Sequence, residues 1–470
     1  MAVRGREGPY APGPQDEHLA GMTAEGRRAW IDPVTSRGRF LAIRRVVGYT
    51  LIALFVALPH VTIGLRPAVL IDLPNRLFSF FGATFHATDS VILLAFGACV
   101  FTTVFFVTAV FGRIWCGYGC PQTVYLELVF RPIEALVEGR PAVRRRRDAG
   151  PWTAGRIARK ALKWTIWLAV CAFLAHVFVS YFIGAERTWA LLGTDPRANP
   201  HVLIAVVLVT GLMFLDFAAV REQTCTAACP YGRLQTVLYD PDTRIVGYDV
   251  RRGEPRGKRG RKADETGLGD CIDCGRCVTT CPTGIDIRRG LQMECVGCAQ
   301  CVDACDDVMT RLGKPRGLVR YTSERELDGG GRRLRRPRLA VYLVALVAAY
   351  TAFVAVVATR SDAAVELLRG SRDPFRALPT GEVANQLRAR FTNNLPEAQT
   401  FSVELLEPAG GSLVTSIAPF RVGPNGVDSV DLVVTLPRSV FRKGRATARL
   451  RVTSDRGWSA EKEKALLGPY

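Results

Sequence analysis

Five long apolar runs constrain this chain more than any other feature: Val46 to Gly64, Ser90 to Phe111, Trp164 to Ile183, Val202 to Val220 and Leu339 to Ala358. Each is near or above the roughly 18 residues that mark a bilayer-spanning helix. Helices buried in a soluble core are usually shorter and carry polar residues along one face. The 48% hydrophobic content is concentrated in these runs, and the 470 residues leave room for two or three domains beside them. The fold class expected is therefore a multi-domain membrane protein with a five-helix α-helical membrane region.

Basic residues set the orientation. The loop from Gly112 to Lys163 carries Arg113, Arg131, Arg140, Arg144 to Arg147, Arg156, Arg159, Lys160 and Lys163. The loops Leu65 to Asp89 and Gly184 to His201 carry only Arg66 with Arg76 and Arg187 with Arg197. Cations favour the cytoplasmic side, so the Arg-rich loop, the N-terminus and the segment Arg221 to Arg338 are placed inside, and everything after Thr359 outside. The first 45 residues are polar, Pro/Gly-rich and basic, without the apolar core or cleavage pattern of a signal peptide. A net charge of +19 and the run "RRGEPRGKRGRK" (Arg251 to Lys262) raise nucleic acid as a partner. The clusters sit where topology and anionic headgroups already favour cations, so no nucleic-acid partner is expected.

Fourteen cysteines all precede the fifth run. They belong to the membrane and the reducing cytoplasm, where metal binding is favoured over disulfides. Between the fourth and fifth runs the chain reads "CIDCGRCVTTCPTGID" and then "CVGCAQCVDACDD". Each block is C-x2-C-x2-C-x3-C, the [4Fe-4S] ferredoxin run, whose fourth cysteine reaches the neighbouring cluster. On that rule Cys271, Cys274, Cys277 and Cys305 hold one cluster, and Cys295, Cys298, Cys301 and Cys281 the other. Structural zinc sites use separated pairs instead. The second block ends in Cys305-Asp306 where the run usually has proline. Two adjacent clusters without an evident substrate pocket imply electron transfer.

The spacing Cys-x3-Cys-Pro occurs at Cys116/Cys120 and again, 109 residues later, at Cys225/Cys229, each shortly after an apolar run. This looks like a duplicated two-helix unit with both thiol pairs at the cytoplasmic face. Pro121 and Pro230 can each begin a short interfacial helix. The four thiols would suit a soft metal or a redox-active dithiol site. The pairs holding copper, a further cluster or only each other all remain open, as does simple packing at a helix end. Cys99 and Cys171 read as packing residues, and His176 as a copper or haem ligand or a helix contact. His60, His86 and His201 read as residues of the outer face, and Glu127 and Asp216 as carboxylates at the inner edge.

Residues 360–470 alternate in short stretches such as "FSVELLEP" and "SVDLVVTLP", separated by Gly410-Gly411 and Pro424-Asn425-Gly426. That pattern predicts an extracytoplasmic immunoglobulin-like β-sandwich without a disulfide, suited to docking partners. The expected organisation is a basic segment 1–45, four membrane helices in 46–220, a cytoplasmic two-cluster ferredoxin-like insert in 221–338, a fifth helix at 339–358, and the sandwich.

The combination resembles the cytochrome c oxidase accessory proteins of the FixG/CcoG/RdxA type. The matching marks are "WCGYGCPQ", "CTAACPYGRLQ", "CPTGIDIRRGLQMECVGCAQCVDACDDVM" and the sandwich after the last span. The resemblance implies a polyferredoxin-like protein of the inner membrane that helps assemble cbb-type oxidase. It implies two [4Fe-4S] clusters, copper as substrate reduced from Cu(II) to Cu(I), a cytoplasmic electron donor, and copper chaperones or oxidase assembly factors as partners. A quinone-linked electron-transfer subunit and an iron-sulfur redox sensor are the alternative readings.

Overall fold

The computed structural model describes residues 28, 30–63, 66–73, 77–86, 89–194, 199–257, 267–331, 333, 335–370, 373–395 and 397–470. Most of the basic N-terminal segment, the end of the Arg251 to Lys262 run and the side chain of His86 lie outside the described residues. The chain divides into two compact units, one of residues 1–82 and 91–353, the other of residues 83–90 and 354–470.

Among the described residues, five helices are long and apolar enough to cross a membrane: Arg39–His60, Ser90–Phe111, Ala154–Ile183, Pro200–Val220 and Pro337–Ala358. They match the five apolar runs, but the first begins at Arg39 rather than Val46 and the third at Ala154 rather than Trp164. The reason is local partnership that apolarity does not register. The Asp303 carboxylate accepts from the backbone N–H groups of Phe40 (3.2 Å) and Leu41 (2.8 Å), capping the first helix with a negative charge at its positive end. One turn on, buried Arg44 donates from Nε to the Gly117 carbonyl at 2.9 Å. In the third helix Thr153 caps the N–H of Arg156 (3.3 Å), and buried Lys163 meets Glu138 at 2.9 Å.

The third helix is the hub of the membrane region. Trp167, Cys171 and Leu174 pack with Tyr125, Leu126, Phe130 and Phe217 into one buried cluster. Phe130 stacks on Phe217 with centroids 4.2 Å apart and meets Trp167 edge-on at 5.2 Å. Short strands occupy the connection between the first two spans, including Val69–Asp72 paired antiparallel with Leu77–Phe80.

The ferredoxin-type region is closed by antiparallel strands Ile245–Tyr248 and Val319–Thr322. Its core gathers Val246, Tyr248, Ile285, Ile287, Val302, Met309 and Leu318 around six of the cysteines.

The second unit is a β-sandwich. One sheet runs Ser412–Thr415, Val427–Pro437, Glu382–Asn393, Ala363–Arg369, and the other Phe420–Val422, Gln399–Glu407, Arg445–Ser454, Ser459–Leu467. Alternate residues of the long strands point inward, so that Phe391, Phe401, Leu432, Leu450 and Leu466 form a core without cysteine.

Candidate metal centre

The two ferredoxin blocks adopt one backbone design. In the first, Asp273 (φ 50°) and Gly275 (φ 65°) flank Cys274 in the left-handed region; in the second, Gly297 (φ 66°) and Ala299 (φ 57°) flank Cys298 in the same way. Glycine takes this conformation without steric cost, which accounts for Gly275 and Gly297. Alternating the hand of successive residues turns backbone N–H groups into a concave nest for an anion, a recurrent arrangement at iron-sulfur sites. The N–H of Gly297 faces the Cys295 sulfur, and that of Gln300 faces Cys298.

Two cavities lie beside these nests. One is lined by Cys271, Cys274, Cys277 and Cys305 with Tyr248, Met309 and Leu318. The other is lined by Cys281, Cys295, Cys298 and Cys301, with Cys277 at the shared wall and Ile285 and Ile287 among its apolar residues. Each cavity thus takes three cysteines from one block and the fourth from the other. Burial pushes the Cys277, Cys295 and Cys305 thiols up to about 12, so thiolates here need a positive partner. Among the described residues, no three His, Cys, Asp or Glu side chains close on one point as a single-ion site would require. Thiols ranged around a cavity fit a multi-iron cluster better than zinc.

The Cys-x3-Cys-Pro pairs repeat in geometry as well as in sequence. Cys116 lies in the short helix Ile114–Tyr118, and Cys120 leaves it extended (φ −64°, ψ 125°) before Pro121 opens the helix Pro121–Tyr125. Cys225 lies in the π-helical turn Thr224–Ala228, and Cys229 is extended (φ −73°, ψ 112°) before Pro230 opens Pro230–Val237. In both repeats the second cysteine's N–H reaches back five residues, to the Trp115 and Thr224 carbonyls, each at 2.8 Å. The neighbouring turns Leu126–Phe130 and Asp216–Val220 are π-helical too, a widening often found at functional sites. The two pairs are electrostatic neighbours: Cys120 and Cys229 act on Cys116, and all three act on Cys225. Burial is the largest influence, pushing Cys116 up to about 11 and Cys225 up to about 12.

The first thiol pair touches the second cavity's loop. A Cβ on Gly117 would lie 2.9 Å from the Cys298 Cα and 2.9 Å from the Val296 carbonyl oxygen, so only glycine permits this backbone contact. Buried Arg113 bridges the same junction. Its Nε donates to Gln235 Oε1 (3.0 Å), and Nη1 donates to the carbonyls of Met293 and Cys295. The Cys116 thiol donates to that same Gln235 oxygen at 3.3 Å. Sequence reasoning missed the roles of Arg113, Gln235 and Gly117 at this junction. Their signal is position: Arg113 three residues before Cys116, Gln235 on the helix that follows the second pair, and Gly117 inside the first pair.

Carboxylates and cations tie the pieces together. Glu127 pairs with Arg131 and accepts from Gln300 (3.2 Å), and Arg131 reaches Glu222 (3.2 Å). Asp216 accepts from Thr224 (2.6 Å), one residue before Cys225. Both carboxylates noted in the sequence therefore have structural partners at the site. Cys99 and Cys171 are buried apart from this cluster, and His176 packs its ring against Trp189 with centroids 4.0 Å apart.

Comparison with known proteins agrees with this geometry. The description "4Fe-4S dicluster domain" matches residues 220–324, "4Fe-4S binding domain" matches 93–146, and "IG-like fold at C-terminal of FixG" matches 353–469. Protein RdxA of Cereibacter sphaeroides is 36% identical over 405 residues, 83% of this chain and 84% of that one. Nitrogen fixation protein FixG of Rhizobium meliloti is 31% identical over 469 residues, covering 88% of each. The chain belongs to the FixG/RdxA family. Protein RdxB of Cereibacter sphaeroides is 35% identical over 353 residues, 73% of each. As a member of this family the chain is a multi-pass iron-sulfur electron-transfer protein with an Ig-like C-terminal domain.

Proposed function

We propose that the protein passes single electrons from a cytoplasmic donor to Cu(II) held at Cys116, Cys120, Cys225 and Cys229, and so supplies Cu(I) for assembly of a cbb-type cytochrome c oxidase. The observation that carries this reading is the Gly117 to Cys298 backbone contact, which sets the first thiol pair against the loop of the second cavity. Cys271, Cys274, Cys277 and Cys305 would hold one cluster, and Cys281, Cys295, Cys298 and Cys301 the other; bound clusters supply one-electron transfer.

The chain's own residues do the rest. Cys274 is exposed, so the first cavity is where a donor protein comes closest, while buried Cys298 faces the thiol pairs. Thiolates prefer Cu(I), so the four-sulfur site favours the product of reduction. Each copper gains one electron from the donor, and thiol protons leave as sulfur binds metal. Arg113 balances negative charge at the junction, and Gln235 orients Cys116. On this reading the ferredoxin-type region faces the cytoplasm of an inner-membrane protein, and the sandwich faces outward to dock copper chaperones or oxidase assembly factors.

The test is anaerobic purification, iron and copper counting, and a Cu(II) reduction assay on wild type, Cys116→Ala/Cys225→Ala and Cys274→Ala. Both variants are expected to lose reduction, the first with its iron intact. Unchanged reduction in the thiol variant would sink the site. Quinol oxidation without Cu(II) reduction would identify a quinone-linked subunit, and no sustained turnover a sensor.

A further inference from the structure

We propose that the arginine-lined cavity at the foot of the third span is a binding site for the phosphate of an anionic phospholipid headgroup. The cavity lies between the short helix Pro141–Asp148 and the first turns of Ala154–Ile183. Among the described residues its lining is Arg144, Arg147, Arg156, Arg159 and Lys160, with the carboxylates Glu138 and Asp148. Five cations against two anions leave the walls strongly positive.

The cations are not equally committed. Arg144 is spent on Glu134 (2.7 Å) and Asp32, and Lys160 on Asp148 (3.0 Å) and Glu138 (3.7 Å). Arg156 pairs with Asp148 (3.2 Å), yet its buried Nε has no hydrogen-bond partner. Among the described residues Arg147 donates to the Glu138 carbonyl at 2.8 Å but meets no carboxylate, and Arg159 has no ion-pair partner. Two guanidinium groups and a spare donor thus face one small space, and guanidinium forks suit phosphate oxygens.

The setting selects a lipid over a soluble anion. Arg156, Arg159 and Lys160 share one helix face by their spacing, at the polar end of a membrane span. Trp152, 67% exposed, lies against the Arg156 guanidinium at 4.1 Å, and Ile157 is 54% exposed beside it. An indole at this level marks the headgroup zone, and basic pockets between helix ends bind anionic headgroups. Occupancy would also bear on the thiol site, because Arg144 shares Glu134 with Arg221, four residues before Cys225.

The test uses the full-length protein in detergent, with phosphatidylglycerol retention read by native mass spectrometry and iron content as the folding check. Arg147→Gln/Arg159→Gln is expected to lose retention by roughly 30-fold, the effect of removing two interfacial cations. Arg145→Gln/Arg146→Gln removes the same charge from the helix that carries Arg147 without touching the cavity, and is expected to retain the lipid. Phosphatidylcholine and inorganic phosphate, each in place of phosphatidylglycerol, are expected not to occupy the site. Equal loss in both double variants would reduce the effect to diffuse surface attraction and overturn the proposal. So would no loss in either, or saturation by inorganic phosphate alone.

Discussion

Replacing Gly117 with alanine tests the junction between the thiol pairs and the cluster fold. The new methyl would meet the Cys298 Cα and the Val296 oxygen at 2.9 Å and the Cys298 nitrogen at 3.0 Å, all backbone atoms that cannot rotate away. Overpacking of this kind costs about 1–3 kcal/mol, offset by about 1 kcal/mol from exchanging glycine for alanine in a helix. The net is about 1 kcal/mol at the middle of that range. Opening of the Cys295 to Cys301 loop then becomes about fivefold more frequent, and a chelator should strip iron from the second cavity faster by that factor. Gly119→Ala is the matched control, since the nearest atoms to its methyl are those of the half-exposed Trp115 ring, at 2.7 Å, which can turn aside. Gly97→Ala, with nothing within 4 Å, sets the baseline. The assay is anaerobic iron release to a chelator, followed by absorbance and by the paramagnetic spectrum of each reduced cluster. Iron loss from Gly117→Ala no faster than from Gly119→Ala would refute the contact.

Three further outcomes follow. Arg113→Met should lower the midpoint potential of the cluster beside Cys295 by removing a buried positive charge, and should cost about 3 kcal/mol in stranded acceptors; Arg113→Lys should restore much of the potential in a redox titration. Burial pushes the Glu134 carboxyl up, but the charges of Arg221, Arg144 and Lys163 outweigh it and hold the group below its ordinary range. Its stabilisation is therefore present at neutral pH and lost as pH falls below the usual carboxylate value of about 4.3, and Glu134→Gln should weaken that acid limb of tryptophan fluorescence and cost about 3–5 kcal/mol. Cys305→Ala and Cys281→Ala should each remove about half the iron but abolish different cluster spectra, Cys305→Ala the one also lost in Cys274→Ala. Loss of one and the same spectrum in Cys305→Ala and Cys281→Ala would contradict the crossed arrangement.

Features with a short repeat were legible in the sequence. The five apolar runs, the alternating strands and the doubled cysteine spacings all reach the structure, because each is fixed by periodicity or by local ligand geometry. Helix starts were not, since Arg44 and Lys163 are accommodated by Gly117 and Glu138, partners far away in the chain. The doubled Cys-x3-Cys-Pro spacing at Cys116/Cys120 and Cys225/Cys229 was legible as a repeat. The first pair's attachment to the cluster loop depends on Gly117, which carries no chemistry, and on Arg113, which reads in the sequence as one more cation of the Arg-rich loop. Buried charges such as Arg131, Arg221 and Glu222 look like solvated loop residues until the fold pairs them.

The most direct measurement is single-turnover reoxidation. The anaerobically reduced protein is mixed with Cu(II), and the return of cluster absorbance and the appearance of Cu(I) are followed together. Wild type is predicted to form one Cu(I) per electron withdrawn, and Cys116→Ala/Cys225→Ala to stay reduced with its iron intact. Reoxidation of that variant at the wild-type rate and yield would contradict the claim that the four thiols are where copper is reduced.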